Sequence, residues 1–286
     1  MIRITTLALG ALCALSRGAF AYVRATDDND TPLRWEGTSC IVVRASSAGC
    51  ADIGDGSERR ALAEAARGWE QAVAPCSYIR FVVGEPSSPP AVGGDGQVTA
   101  EWVNAGWSEL PAHLPEHIAL TAVWSRDGVI YDADIEINDE HHAFSTTGDP
   151  EKLDLQTTLT HELGHVLGLD ELCYLGTLPP DPRPADHLGR PIPACGSATE
   201  EVRAAAMYPT SKPGETHRRA PAADDVAGVC AIYPLPDDPG RCAAEEGCGC
   251  HVAEAGGSMP AGPAVLVFML LRRWRRKRHQ LSPTAS

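Results

Sequence analysis

The segment from His161 to Gly168 constrains the fold of this chain more than any other feature. It reads His-Glu-Leu-Gly-His-Val-Leu-Gly. Residues four apart lie on one face of a helix, so the imidazoles of His161 and His165 can bind one metal ion. Gly168 can adopt the positive φ that ends a helix and turns the chain back towards the metal. The segment therefore predicts a helix that carries two zinc ligands and reverses at its end.

Glu162 adds a candidate catalytic group to this helix. Zinc lowers the pKa of a bound water to about 7, and Glu162, beside the first histidine, is the candidate general base that takes the proton of that water. A bare H-E-x-x-H pattern arises by chance in roughly a few per cent of chains of this length, so a surface helix with two histidines is the alternative. The added Gly168 and the features below favour a zinc hydrolase.

The first residues predict export. Arg3 is followed by an apolar run from Ile4 to Leu15 and by Ala19-Phe20-Ala21, which together indicate a secretory signal over residues 1–21. The remainder of the 286-residue chain is long enough for one domain with a sizeable core. Nine cysteines follow the signal without zinc-ribbon spacing, which favours disulfides. The odd count leaves one thiol over, expected at Cys248 or Cys250.

The charge distribution argues against two classes of partner. Residues 22–271 hold 16 basic and 38 acidic side chains, because six basic residues lie within Arg272 to Arg278 and two more lie in the signal. Such a negative surface repels nucleic acid and disfavours anionic membranes.

Periodicity predicts strands alternating with helices. The predicted strands span 40–44, 78–84, 97–104, 118–125 and 129–138, and the predicted helices span 57–73, 154–169 and 223–233. Arg126-Asp127-Gly128 predicts a tight hairpin between the last two strands. A Pro-rich insert runs from Leu172 to Arg203. Cys173 and Cys195 bracket this insert, and we predict a disulfide between them.

With these elements in order, the chain resembles the metzincin metalloproteases, closest to the matrixin branch. The zinc helix is followed by Ala206-Met207-Tyr208-Pro209, which is similar to the matrixin Met-turn. The segment from Asp224 to Tyr233 is similar to the last helix of the catalytic domain. Leu33-Arg34-Trp35 also resembles the start of matrixin catalytic domains. The resemblance covers roughly residues 33–234.

The resemblance implies a fold and an activity. The fold is α/β, with a twisted, mostly parallel five-stranded sheet, one antiparallel edge strand, the zinc helix, the Met-turn and a C-terminal helix. Met207 would form the floor beneath the zinc. The activity is that of a monomeric zinc endopeptidase whose peptide substrate lies extended along the edge strand. Residues 22–33 would be a short N-terminal segment and residues 34–234 the catalytic domain.

The third zinc ligand is a departure from the family pattern. The family places histidine or aspartate three residues after the glycine, and this chain has Glu171 there. Glutamate can bind zinc through oxygen, so Glu171 is the expected third ligand. Asp170 and the distant His187 are the alternatives. A degenerate site would instead make the chain a catalytically inactive surface binding protein on a metzincin-like scaffold.

The strand before the zinc helix carries acidic residues on alternate positions. Asp132, Asp134 and Glu136 share one face and are candidate calcium ligands, since matrixins bind structural ions near the corresponding strand. A solvated strand face is the alternative. His141 and His142 in the following loop are expected to be exposed to solvent.

The C-terminus carries a second resemblance. Cys248-Gly249-Cys250, an apolar run from Met259 to Leu271 and the basic cluster Arg272 to Arg278 resemble the MYXO-CTERM sorting signal of myxobacterial surface proteins. The apolar run is shorter than the roughly 20 residues of a spanning helix. The resemblance implies processing near the cysteines and attachment to the cell surface, with residues 235–258 as linker and 259–286 as tail. An ordinary C-terminal anchor is the alternative. In both cases only the tail would contact the membrane.

Overall fold

The structure is a computed structural model that describes residues 22–86, 93–180 and 183–242. The signal segment, Cys248, Cys250 and the apolar and basic parts of the tail lie outside the described residues. Within the described ranges, no helix is both long enough and apolar enough to cross a membrane.

The described residues form a mixed α/β fold, and the elements follow one another much as the periodicity predicts. The α-helices are α1 (Ser57–Val73), α2 (Leu155–Val166), α3 (Glu200–Ala204) and α4 (Ala223–Ile232). The strands are β1 (Val23–Arg24), β2 (Arg34–Trp35), β3 (Cys40–Ala45), β4 (Arg80–Val83), β5 (Val98–Val103), β6 (Ala119–Arg126), β7 (Val129–Asn138), β8 (Phe144–Ser145), β9 (Leu153–Asp154) and β10 (Leu169–Asp170).

The central sheet is mostly parallel. Its long strands lie in the order β4-β3-β5-β7-β6, and only β6, at one edge, runs antiparallel to its neighbour. The sheet has six strands rather than the five expected, because β2 pairs in parallel with the start of β7, Arg34 opposite Val129. Two residues are too few for an alternating pattern to reveal a strand, which is why periodicity does not predict β2.

The β6–β7 hairpin turns at Asp127 and Gly128, as the sequence predicts. Both residues have positive φ, 53° and 79°. Two successive positive φ values are typical of the tight turns whose twist matches that of paired strands. A side chain at Gly128 would approach Thr31 Cγ2 to 2.7 Å, so glycine is required there for space as well as for conformation.

Helix α1 buries the face that its apolar spacing predicts. Leu62, Ala65, Ala66, Trp69 and Val73 are all buried. Trp69 also donates its indole N–H to the carbonyl of Thr160 in α2, at 2.9 Å. Burying one large apolar side chain is worth about 1.5–3 kcal/mol, so this face fixes α2 firmly against α1.

The N-terminal segment is part of the fold. Strand β1 pairs antiparallel with β10, with Val23 opposite Asp170. Arg24 donates from Nη2 to the carbonyl of Leu33, at 2.7 Å, which ties the start of the segment to its end. The segment therefore packs directly against the chain that links α2 to Glu171.

Three disulfides connect distant parts of the chain. Cys173 is bonded to Cys195, as the sequence predicts, and the other two pairs are Cys40–Cys242 and Cys76–Cys230. These two pairs span 202 and 154 residues, and sequence spacing gives no means of choosing them. Cys50 is the free cysteine of the described part of the chain. It is buried, and its thiol lies 2.9 Å from Asp139 Oδ1.

Candidate metal centre

Helix α2 begins at a strong cap and ends in a sharp reversal. Asp154 accepts the backbone N–H of Thr157 at 2.8 Å, and Arg219 donates to the same carboxylate at 3.0 Å. Gly168 has φ 85°, and a Cβ there would lie 2.7 Å from the carbonyl oxygen of Leu33. The chain therefore leaves α2 through a glycine that cannot be replaced without strain and turns directly into β10.

This reversal brings the three predicted ligands together. His161 Nε2 lies 3.1 Å from His165 Nε2, and Glu171 Oε1 lies 3.3 Å and 3.6 Å from these two atoms. Of the residues described, no other set of three histidine, cysteine or acidic side chains is placed to hold a metal ion.

Backbone carbonyls fix the orientation of both imidazoles. His161 Nδ1 lies 2.7 Å from the carbonyl oxygen of Ala206, and His165 Nδ1 lies 3.0 Å from that of Leu169. A carbonyl can only accept, so each Nδ1 carries a hydrogen and each Nε2 faces the centre of the group. Such outer hydrogen bonds are typical of histidines that bind metals.

The environment of Glu171 fits a cation. Its Oε2 is buried and has no hydrogen-bond partner within the described residues. Burial alone would raise the pKa of Glu171, but the adjacent imidazoles of His161 and His165 outweigh it and hold the pKa at about 2. Burial likewise disfavours the charge of His165, yet Glu171 raises the pKa of that imidazole to about 10. Two imidazole nitrogens and one carboxylate form a donor set that zinc accepts.

Neither alternative ligand reaches the group. The Asp170 carboxylate is turned back on the chain, where Oδ1 accepts the backbone N–H of Glu171 at 2.7 Å. His187 stacks on Tyr22, with ring centroids 3.9 Å apart. Its Nδ1 is hydrogen-bonded to the Tyr22 carbonyl oxygen at 3.2 Å. The geometry therefore favours Glu171 among the candidates that the sequence left open.

Met207 lies against α2. The residue is 1% exposed, and a Cβ on Gly164 would come within 2.2 Å of its sulfur atom. Asp225 in α4 accepts the backbone N–H groups of Ala206, at 2.7 Å, and of Met207, at 3.2 Å. The last helix therefore holds the turn whose Ala206 carbonyl orients His161.

Glu162 in α2 contacts the central sheet. It is 5% exposed, and its Oε2 accepts a hydrogen bond from the Thr121 hydroxyl at 2.6 Å. Thr121 lies in β6, the antiparallel edge strand. Sequence reasoning missed this contact, although a lone hydroxyl in the apolar run from Ile118 to Trp124 is a signal for it.

A cleft of about 1420 Å³ opens over these residues. Strand β6 lines it along one side, and the segment from Tyr208 to Ser211 also lines it, as do Leu175 of the Pro-rich insert and Asp27 of the N-terminal segment. Within the described ranges, no strand pairs with the edge of β6 that faces away from β7. An extended peptide could therefore pair there, directly beside Glu162.

The acidic strand is buried where it carries Asp132 and Asp134. Asp132 and Asp134 are fully buried, so the expectation of a solvated face is wrong. Asp132 accepts the backbone N–H of Gly96, and Asp134 accepts those of Gly93 and Thr99, at 2.7 and 2.9 Å. These carboxylates hold a neighbouring loop against the sheet.

The third member of the acidic set points elsewhere. Glu136 Oε2 lies 3.2 Å from His113 Nε2, and within the described residues it forms no joint metal group with Asp132 and Asp134. Burial raises the pKa of Asp134 to about 6. Calcium binding by Asp132, Asp134 and Glu136 stays a prediction.

The two histidines after β7 differ from each other. His141 is exposed, as expected. His142 is half-buried, and its Nε2 is buried without a hydrogen-bond partner in the described structure, so the expectation of full exposure is wrong for this residue. Burial lowers the pKa of His142, which favours its neutral form.

Comparison with known proteins adds no relative. No model of a known protein family matches this chain, and no curated protein matches it. The features of a candidate metal centre lie in the side chains themselves: two oriented imidazoles, one carboxylate with a buried oxygen, and Glu162 in the same cleft.

Proposed function

We propose that this chain is a zinc-dependent endopeptidase of the metzincin type. One observation carries the proposal: His161, His165 and Glu171 converge beneath an open sheet edge, with the Glu162 carboxylate next to them. A scaffold that only bound zinc would need the three ligands and no fourth acid.

Zinc held by the two imidazoles and Glu171 would supply a Lewis acid that polarises the scissile carbonyl and the attacking water. Glu162 takes the proton from that water and passes it to the leaving amine. Its burial keeps bulk water away from the carboxylate, and the Thr121 hydroxyl fixes one of its two oxygens.

The substrate binds by strand addition to β6. The free edge of this strand offers backbone N–H and C=O groups, and an extended peptide satisfies them in an antiparallel or parallel register. The segment from Tyr208 to Ser211 lines the same cleft and is placed to contact side chains of the substrate. The class of substrate is therefore an unfolded or extended segment of a protein.

The arrangement around the site supports the metzincin assignment. The sheet order, the antiparallel edge strand, the Met207 turn beneath α2 and the closing helix α4 all agree with what the resemblance implies. Three disulfides agree with an oxidising compartment outside the cytoplasm. We place the enzyme at the cell surface, as a monomer, with processing of its C-terminal tail.

Proteolysis of a denatured protein mixture tests the proposal. Purified protein loaded with zinc should cleave internal peptide bonds, and the new N-termini should be identifiable by mass spectrometry. A chelator should abolish cleavage, and added zinc should restore it. Zinc binding at these residues without any cleavage would contradict the proposal and favour the catalytically inactive binding protein instead.

A further inference from the structure

Thr121 makes the one hydrogen bond that reaches the Glu162 carboxylate from the described part of the chain. Its hydroxyl lies 2.6 Å from Glu162 Oε2 and 3.4 Å from the backbone oxygen of the same residue. A threonine hydroxyl donates one hydrogen, and the shorter distance assigns that hydrogen to the carboxylate.

The threonine itself is held rigidly. Thr121 pairs with Ile135 of β7 in the central sheet, so its backbone is fixed on one side by a fully buried strand partner. A β-branched side chain also has few rotamers about χ1. The hydroxyl is therefore presented from a fixed point, whereas the glutamate it binds has three rotatable bonds.

We propose that Thr121 is a positioning residue that holds Glu162 in its proton-accepting orientation, an inference that rests on the proposed function. Oε2 is occupied by the hydroxyl, which leaves Oε1 with no partner from the described residues and free to accept the proton of the attacking water.

The position of Thr121 links the base to the substrate. It belongs to β6, the strand whose free edge would pair with the peptide. One rigid strand therefore sets both the place of the scissile bond and the orientation of the carboxylate. Catalysis depends on such alignment, since a small misplacement of a reacting group lowers the rate steeply.

Replacement of the hydroxyl by a methyl group tests the inference. Thr121→Val keeps the shape and the strand preference of the side chain. We expect kcat to fall about tenfold, the usual scale for losing one hydrogen bond to a charged group, with KM and bound zinc unchanged. Thr121→Ser should retain kcat within about threefold, because it keeps the donor.

A double-mutant cycle separates positioning from general structural damage. Glu162→Asp withdraws the carboxylate from the hydroxyl, so Thr121→Val should change kcat less than about twofold in that background. Thr99→Val, which removes a buried hydroxyl from β5 in the same sheet, serves as the matched control and should leave kcat unchanged.

Each outcome bears on a different claim. An equal loss of kcat from Thr121→Val in both backgrounds, or no loss in the wild type, would overturn the positioning role while leaving the peptidase in place. A wild-type protein that binds zinc but cleaves no peptide would contradict the proposed function. A crystal structure of the Thr121→Val variant gives a readout independent of activity: the Glu162 carboxylate should leave its present position, and an unmoved carboxylate would overturn the inference.

Discussion

Gly164 decides whether Met207 can pack against α2, and Gly164→Ala tests this directly. In an unconstrained helix the change would stabilise the protein by about 1 kcal/mol, because alanine is the better helix former. Here the new Cβ would stand 2.2 Å from the Met207 sulfur and 3.2 Å from the Trp69 ring. Overpacking of a buried site typically costs about 1–3 kcal/mol. The two terms predict a net loss of roughly 0–2 kcal/mol rather than a gain.

Gly68→Ala is the matched control. Gly68 is also helical, in α1, but the nearest atom to its added Cβ is the Arg219 carbonyl oxygen at 3.4 Å. That distance is ordinary contact, so this variant should gain up to about 1 kcal/mol. Urea unfolding of the metal-free proteins measures both changes on one scale. Both variants gain the same helix-propensity term, so Gly164→Ala should be less stable than Gly68→Ala by the overpacking cost of about 1–3 kcal/mol.

Gly164→Ala should also weaken zinc binding. Met207 follows Ala206, whose carbonyl orients His161. Displacement of Met207 should therefore lower zinc affinity by about 10–100-fold, the usual effect of losing a group that hydrogen-bonds to a metal-binding histidine. Met207→Ala should relieve the clash, so the double variant should be more stable than the sum of the two single changes predicts. A Gly164→Ala protein as stable as Gly68→Ala, with unchanged zinc affinity, would refute the packing of Met207 against α2.

Three further predictions concern the site. Loss of a group that only hydrogen-bonds to a metal ligand weakens zinc binding roughly 10–100-fold. Glu171→Ala should weaken it by more than this and Asp170→Ala by no more, as measured by competition with a chromophoric chelator. The reverse order would make Asp170 the ligand. Replacement of Cys173 and Cys195 by serine should cost about 3 kcal/mol of stability, and non-reducing peptide mapping that joins either cysteine to another partner would contradict the pair. Zinc binding at pH 8 should release about one proton, because Glu171 raises the pKa of His165 to about 10 in the metal-free protein and that proton must leave before Nε2 can bind. The apparent affinity for zinc should thus rise with pH. Calorimetry in two buffers of different ionisation enthalpy measures the number of protons released. A release of no protons would contradict the pairing of His165 with Glu171.

Much of the fold follows from patterns that act within one element. The apolar spacing of α1 predicts its bounds from Ser57 to Val73, and the turn chemistry of Asp127 and Gly128 predicts the β6–β7 hairpin. The candidate metal group is also local, since its three side chains lie within eleven residues and one glycine reverses the chain between them. Short-range geometry therefore suffices to predict which side chains meet.

What the sequence did not reveal depends on contacts between distant segments. β1 is two residues long and is a strand only because β10 lies beside it. The alternation of Asp132 and Asp134 predicts a shared face, but their burial depends on backbone N–H groups of a loop more than thirty residues earlier. The contact between Thr121 and Glu162 joins residues 41 positions apart. No periodicity within one element carries this information.

The central claim is that Glu162 is the general base of a zinc peptidase, and Glu162→Gln tests it most directly. The amide keeps the size of the side chain but cannot accept the proton, so kcat should fall by about 10²–10⁴-fold, the usual contribution of general acid–base catalysis. Zinc content and the free energy of unfolding should stay close to wild type, because His161, His165 and Glu171 are untouched. A Glu162→Gln protein that binds zinc and cleaves peptides at the wild-type rate would contradict the account.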